Sequence, residues 1–345
     1  MRNFILINII ILSILILVSC SKKEAKVNND QKTYNPKNLP SSGGKTLEMI
    51  LVIEDSYYKG DIKDSLGTYF LKASPGLNAP EPLFDMVQMN PKHFNQSEMF
   101  KKHRNILIVD FNNENKNEIY KHYDYKSFPQ AYFEISVKDK ENLFLILHKY
   151  SSTIINKFYD NEHRRVFLAF KKLENIEATK KLKHSFKFSF TMSKDFSIST
   201  FNDDFAWFRK DYFANKHQRT LNIFVHKTPY IGDGMFKEDK IIELRDKVAK
   251  ENIPGPTNGS YMGTETRFPY SRKEVVINNI NFIETRGLWR LFNDFMGGSF
   301  INYCFVNKKT NEFVMIDCFL YAPNQNKRDE LMQMESIVHS IKIEL

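Results

Sequence analysis

The sequence predicts an α+β protein of two intimately packed halves, each a mainly antiparallel sheet covered by helices, dividing around Leu182. Three observations lead there. Short apolar runs, LEMILVIE at Leu47–Glu54, NILIVDF at Asn105–Phe111 and Gln130–Val137, have the length and β-branched content of buried strands. Several longer segments place apolar residues at helical spacing. Beyond His184 the pattern changes to strands that alternate apolar and polar residues, as sheets with one wet face do.

The chain opens with Arg2, an almost unbroken apolar run from Phe4 to Val18, and Leu17-Val18-Ser19-Cys20. A small residue followed at once by cysteine is the layout of a lipoprotein signal, which makes Cys20 the lipidation site. The run is broken by Asn8 and Ser13 and falls short of the about 20 apolar residues of a membrane span. Ser21 to Gly44 is rich in Lys, Asn, Ser, Pro and Gly and reads as a polar, flexible tether. The expected layout is a signal peptide at 1–19, a lipidated tether at 20–45, an N-terminal half at 46–182 and a C-terminal half at 183–345.

In the first half, Leu47–Glu54 is a strand and Asp61–Lys72 a helix with Ile62, Leu66 and Tyr69 on one face. Pro75, Pro80 and Pro82 force an extended link into a strand at Leu83–Met89. Strands at Asn105–Phe111 and Gln130–Val137 precede two helices, about Lys140–Phe158 and Asn161–Lys181. In the second half, strands are expected at Phe186–Thr191, Phe196–Thr200, Phe205–Arg209 and Thr220–His226. Glu238–Asn252 is an amphipathic helix with acids at its start and lysines at its end, stopped by Pro254-Gly255-Pro256. Strands around Met262–Phe268 and Glu274–Glu284 follow. Leu288–Met296 then reads as a short buried helix, because Trp289, Phe292 and Met296 recur at helical spacing, with Gly297-Gly298 as its left-handed cap. A hairpin, Phe300–Asn307 and Glu312–Tyr321, leads to a last helix from Gln325 to Ser340 and a short strand within Ser340–Glu344.

The net charge of +9 suits either a lysine-rich solvated surface or a contact with anionic envelope components. Nucleic acid is not an expected partner for a chain held outside the cytoplasm. Besides Cys20, Cys304 and Cys318 remain. With the hairpin turn at Lys308–Asn311, Cys304 faces Met315 and Cys318 faces Ile301, too far apart to bridge. A turn recentred on Asn311 would set the two cysteines opposite one another, so both outcomes stand at this point.

Several stretches carry a resemblance: Glu81-Pro82-Leu83-Phe84, His103-Arg104-Asn105-Ile106-Leu107, Phe205-Ala206-Trp207-Phe208-Arg209, Ile253-Pro254-Gly255-Pro256, Ser260-Tyr261-Met262, Glu284-Thr285-Arg286-Gly287-Leu288-Trp289 and Asp294-Phe295-Met296-Gly297-Gly298. From about Thr46 onward the chain resembles a bacteroidete-type lipoprotein family of unknown function. That resemblance implies location and a single fold, and brings no catalytic residue. In such bacteria, acids just after the lipid cysteine favour export to the outer surface; Ser21-Lys22-Lys23 has none, which points to an outer-membrane lipoprotein facing the periplasm. The second half is also similar in outline to PsbP-like α/β/α sandwiches, domains that mostly bind or assist assembly.

Chemistry-bearing motifs are sparse. The sequence has no HExxH or CxxC pair, no Gly-x-Ser-x-Gly elbow and no Gly-x-Gly-x-x-Gly loop, so neither a metal nor a cofactor is expected. Two places are candidate binding sites. In the first, Glu284 fixes the Arg286 guanidinium for an anionic group and Trp289 supplies an apolar wall; the alternative is a strand-end ion pair and a core anchor. In the second, His103 and Arg104 face a cleft at the start of a strand, or cap the sheet edge. The function expected is a lipid-anchored, non-catalytic envelope protein that binds an anionic ligand or a protein partner. The rival is an envelope hydrolase acting on cell wall or lipid, with a site assembled from distant residues.

Overall fold

The computed structural model describes residues 26–28, 38–112, 117–214 and 216–344. Cys20 and the segment expected to be a signal peptide lie outside the described residues.

The N-terminal half is a six-stranded sheet. Its strands are β1 (Lys26–Asn28), β2 (Glu48–Val52), β3 (Asp85–Met89), β4 (Asn105–Phe111), β5 (Glu118–Tyr123) and β6 (Ala131–Val137), in the order β1-β5-β6-β4-β2-β3. β2 pairs parallel with β3 and β4, β4 parallel with β6, and only β5–β6 is antiparallel among the internal pairs. The α+β class holds, but this sheet is mixed rather than mainly antiparallel. The reason is local: helices between β2 and β3 and between β3 and β4 return the chain parallel to itself, and β5, antiparallel to β6, returns it parallel to β4. Helix α1 (Gly60–Phe70) buries Ile62, Leu66 and Phe70 against one face. The short helices α2 (Pro91–Gln96) and α3 (Glu98–Lys101) cover the other, where Phe94 meets Ile50, Val52 and Ile106.

Helix α4 runs unbroken over Lys140–Lys172, where two helices were expected, because nothing near Tyr159-Asp160 interrupts the helical hydrogen bonds. The break falls at Leu173-Glu174-Asn175; Asn175 starts α5 (Ile176–Phe186) by accepting from the Ala178 N–H at 3.0 Å. Ala178, Leu182 and Phe186 of α5 pack in the core of the second half, so the sequence-based division at Leu182 falls inside a helix of that half.

The C-terminal half is an eight-stranded antiparallel sheet in the order β11-β13-β14-β15-β10-β9-β8, with β12 also on β13. Its strands are β8 (Ser197–Phe201), β9 (Phe205–Ala214), β10 (His217–Pro229), β11 (Tyr261–Thr264), β12 (Ser271–Ile277), β13 (Ile280–Phe292), β14 (Gly297–Asn307) and β15 (Glu312–Tyr321). A two-stranded sheet, β7 (Phe188–Ser189) with β16 (Lys342–Ile343), closes the fold. Helices α5 and α7 (Arg328–His339) cover one face of the large sheet, and α6 (Glu238–Asn252) covers the other. The two layers meet at α6 through Arg245, fully buried, whose Nε and Nη2 donate to Asp317 at 2.7 and 3.2 Å while its guanidinium stacks on Phe300.

Two expectations fail here. Residues 288–296 are not a helix: β13 continues to Phe292, a tight turn follows, and Gly297 and Gly298 open β14. In addition, two parts of the expected tether belong to the fold: residues 26–28 are β1, paired with β5, and the last part is docked. Ser42 is buried and its Oγ donates to the Pro129 carbonyl at 2.6 Å, and the Gly43 N–H donates to Lys102. The cysteine hairpin has the first of its two registers, with Cys304 opposite Met315 and Cys318 opposite Ile301; both thiols are free and buried.

The halves are joined through α7. Glu81 of the first half accepts from the N–H groups of Lys327 and Arg328 at 2.8 and 3.0 Å, so a carboxylate from one half caps the helix of the other. Arg328 in turn pairs with Asp85 at 2.8 Å, and Met332 packs into the first core.

Candidate functional site

Helix α6 ends at Asn252, and the sheet face it covers continues past it. There the structure opens a cavity of about 430 Å³. Its apolar walls are Trp207, Trp289, Met262, Leu291, Met296 and Phe319, and residues 253–256 form one side. Strand alternation aims these side chains the same way: Trp207 and Arg209 on β9, Gln218, Thr220 and Asn222 on β10, Phe319 and Tyr321 on β15, Trp289 and Leu291 on β13. The register completes the patch, with Arg209 opposite Asn222, Asn222 opposite Phe319 and Thr220 opposite Tyr321.

Both tryptophans of the chain line this cavity, and each indole is held by its N–H. Trp207 Nε1 donates to Asn222 Oδ1 at 3.1 Å. Trp289 Nε1 donates to the Leu320 carbonyl at 3.1 Å, two strands away. To get there the ring crosses β14 at Gly298, the residue directly opposite Trp289. A Cβ at Gly298 would run into the Leu320 carbonyl oxygen and crowd the indole nitrogen. The cationic side chain in the wall, Arg209, spends Nε and Nη2 on Asp211 at 2.7 and 2.9 Å, and Thr220 Oγ1 also donates to Asp211. With these polar groups bonded to the protein itself, the cavity offers mainly indole faces and aliphatic surface, with the Gln218 amide and the Tyr321 hydroxyl as its other polar groups. Its size and lining suit an apolar group with a polar end at the rim.

A second cavity, about 640 Å³, lies between the halves and contains Glu284, Arg286 and Glu335. Arg286 Nε donates to Glu284 at 2.6 Å and Nη1 to Glu335, on α7, at 2.8 Å. Burial disfavours the Glu284 charge, but Arg286 and Lys273 outweigh it and hold that carboxyl at about 2. Burial pushes Glu335 up, against the pull of Arg286. Close by, His163 and His339 stack with ring centroids 3.8 Å apart. Burial lowers both, His339 to about 4 and His163 well below its ordinary value, with His339 adding to the effect on His163. Ser336 Oγ donates its single proton to the Met332 carbonyl at 2.6 Å. His163 Nδ1, 3.0 Å from that oxygen, is therefore the donor of the pair and not a base on the hydroxyl.

The structure separates the residues that the sequence grouped. Glu284 and Arg286 point into the cleft between the halves, and Trp289, three residues on along the same strand, points to the opposite face. Glu335 already occupies the position expected for an anionic ligand of Arg286. His103 and Arg104 lie at the start of β4: His103 Nε2 meets Glu48 at 2.8 Å, Arg104 Nη1 donates to the buried Glu162 at 2.7 Å, and Arg104 Nη2 holds the Gly44 carbonyl. They fasten residues 43–44 to the starting ends of β4 and β2, which lie inside the sheet. Sequence reasoning missed Trp207, Arg209, Phe319 and Tyr321 as site residues; the one signal available was that both tryptophans fall within motifs of the family resemblance. Among the described residues, no group of three or more His, Cys, Asp or Glu side chains is placed to hold a metal ion, and no helix is long and apolar enough to cross a membrane.

Residues 175–340 match the family described as "Domain of unknown function (DUF4837)", and residues 42–171 match "Domain of unknown function (DUF8532)". No curated protein matches the chain. Among solved structures, the Ran-binding protein Mog1p of Saccharomyces cerevisiae is similar at 7% identity and a TM-score of 0.30, over 46% of this chain and 90% of that one. A point mutant of protein Mog1 is similar at 8% identity and a TM-score of 0.29, over the same shares.

Proposed function

We propose that this is a lipid-anchored cell-envelope protein whose folded body binds, without catalysis, an apolar group of a ligand or partner between Trp207 and Trp289. The observation that carries the reading is the pair of indoles, each locked by its own N–H, walling a cavity whose one charged side chain, Arg209, is already paired with Asp211. The anchor is read from Leu17-Val18-Ser19-Cys20, and the periplasmic face of the outer membrane from Ser21-Lys22-Lys23. The outline similarity of the second half to PsbP-like binding domains fits the same role by analogy of fold.

The rival reading, an envelope hydrolase, has its best case in the cleft between the halves, where Glu284, Glu335, His163 and His339 gather. Their bonding speaks against it: both carboxylates are spent on Arg286, and the Ser336 proton is spent on a backbone carbonyl. The test is titration with the apolar dye anilinonaphthalene sulfonate, read by energy transfer from tryptophan. Saturable binding that Trp289→Ala weakens by about tenfold is expected. Binding left unchanged by that substitution would remove the pocket from the account.

A further inference from the structure

We infer that the ligand is one acyl chain of a bilayer lipid, taken up while the open end of the large sheet rests on the membrane. This rests on the reading of the tryptophan cavity as a binding pocket and of Cys20 as an anchor.

The topology brings three features to one end of the sheet. Leu320 pairs with Ser299, and Thr220 with Tyr321, so the β9–β10 hairpin tip, the end of β15 and the β13–β14 turn lie at the same end. The cavity's lining extends to that end, where it includes Gln218 on β10 and Met296 in the turn. Phe213 lies opposite Gln218, hence on the cavity's own face, and is about three-quarters exposed. Phe295 adjoins Met296 and is fully exposed.

The turn that carries Phe295 is held in place. Asn293 adopts a φ of 62° and its Nδ2 donates to the Gly259 carbonyl at 3.2 Å. Asp294 accepts from the Phe295 N–H at 2.6 Å and from Thr257. Two exposed rings, Phe213 and Phe295, at the end of one apolar cavity expose more apolar area than a single side chain, and such areas mark contact sites.

Charge decides which contact. Of the residues lining the cavity Arg209 alone is charged, and it is paired with Asp211, so no unpaired charge in the wall favours an anionic protein or a free anion. An uncharged aliphatic chain matches walls of indole, Met and Leu, with its headgroup left at the rim near Arg209. Reach also fits: Lys26 is paired to β5, and the chain from Cys20 to Lys26 spans at most roughly 20 Å when extended, so a body anchored at Cys20 stays within touch of lipid. Two aromatic tips entering the interface would then place the cavity mouth at the acyl region.

The experiment uses the C20S chain, which carries no lipid of its own, with vesicles of phosphatidylcholine brominated along its acyl chains. Because both tryptophans line the cavity, bromine quenches them only where an acyl chain reaches it. Quenching is expected, little changed by salt, and about tenfold less sensitive to lipid in the F213S/F295S variant. Dye binding that saturates normally without quenching by the brominated lipid would overturn the inference and leave the pocket standing. Failure of both would remove the pocket as well. Quenching unaffected by F213S/F295S would overturn the membrane-resting geometry. Displacement of the dye by an apolar peptide but not by lipid would assign the pocket to a protein partner instead.

Discussion

Trp289 and Gly298 sit directly opposite one another on adjacent strands, and the glycine is what lets the indole cross to the Leu320 carbonyl. The side chain that walls the pocket is therefore held by a residue with no side chain. Gly298→Ala puts a methyl group against the Leu320 oxygen and the indole. We expect a loss of about 1–3 kcal/mol in urea unfolding, together with a red-shifted tryptophan emission as the ring is displaced.

The halves share a helix cap. Removing the Glu81 carboxylate leaves the Lys327 and Arg328 N–H groups without their partner. Glu81→Ala should cost about 1–2 kcal/mol, and Glu81→Gln, which keeps an acceptor, less. Chemical denaturation of the two variants side by side checks the order.

The Arg245–Asp317 pair is fully buried, and Asn302 Nδ2 also donates to Asp317 at 2.9 Å. Breaking it from one side strands a charge in the core, so Asp317→Ala should destabilise by about 3–5 kcal/mol. The double variant R245M/D317L, which removes both charges, should recover much of that loss. A double variant no more stable than D317A would show that the pair contributes more than charge neutralisation.

Much of the secondary structure was readable. The strand Asn105–Phe111 and the helix Glu238–Asn252 stand where the pattern of apolar residues put them. The segment at Trp289 did not read correctly because Trp289, Phe292 and Met296 happen to repeat at helical spacing, while Trp289 and Leu291 obey the strand period of two. The strand Glu118–Tyr123 was missed because it carries charged and polar residues over most of its length. Parallel pairing in the first sheet was illegible for a different reason: direction is set by how the connections, helices or β5, return the chain, not by strand composition. The pocket is assembled from β9, β10, β11, β13 and β15, so no local motif could announce it.

Acid should weaken the joint between α4 and α7. His339 is held at about 4 against an ordinary 6.5, and His163 is lowered as well. Between those values the unfolded chain binds more protons than the native one, so stability falls as pH drops from 6.5 toward 4. Glu335, raised by burial, works the other way, and Arg286 and Lys273 oppose protonation of the pair. The net expectation is a loss on the order of 1–2 kcal/mol by pH 5. His339→Gln should flatten that slope, as read from urea midpoints at pH 7 and pH 5.

The most direct measurement follows the two indole N–H signals by NMR in an isotope-labelled chain while the anilinonaphthalene sulfonate dye is added. Trp207 and Trp289 wall the same cavity from different strands, so both signals should shift along one shared saturation curve. Two unmoved signals, or two curves with different midpoints, would contradict a single apolar site between them.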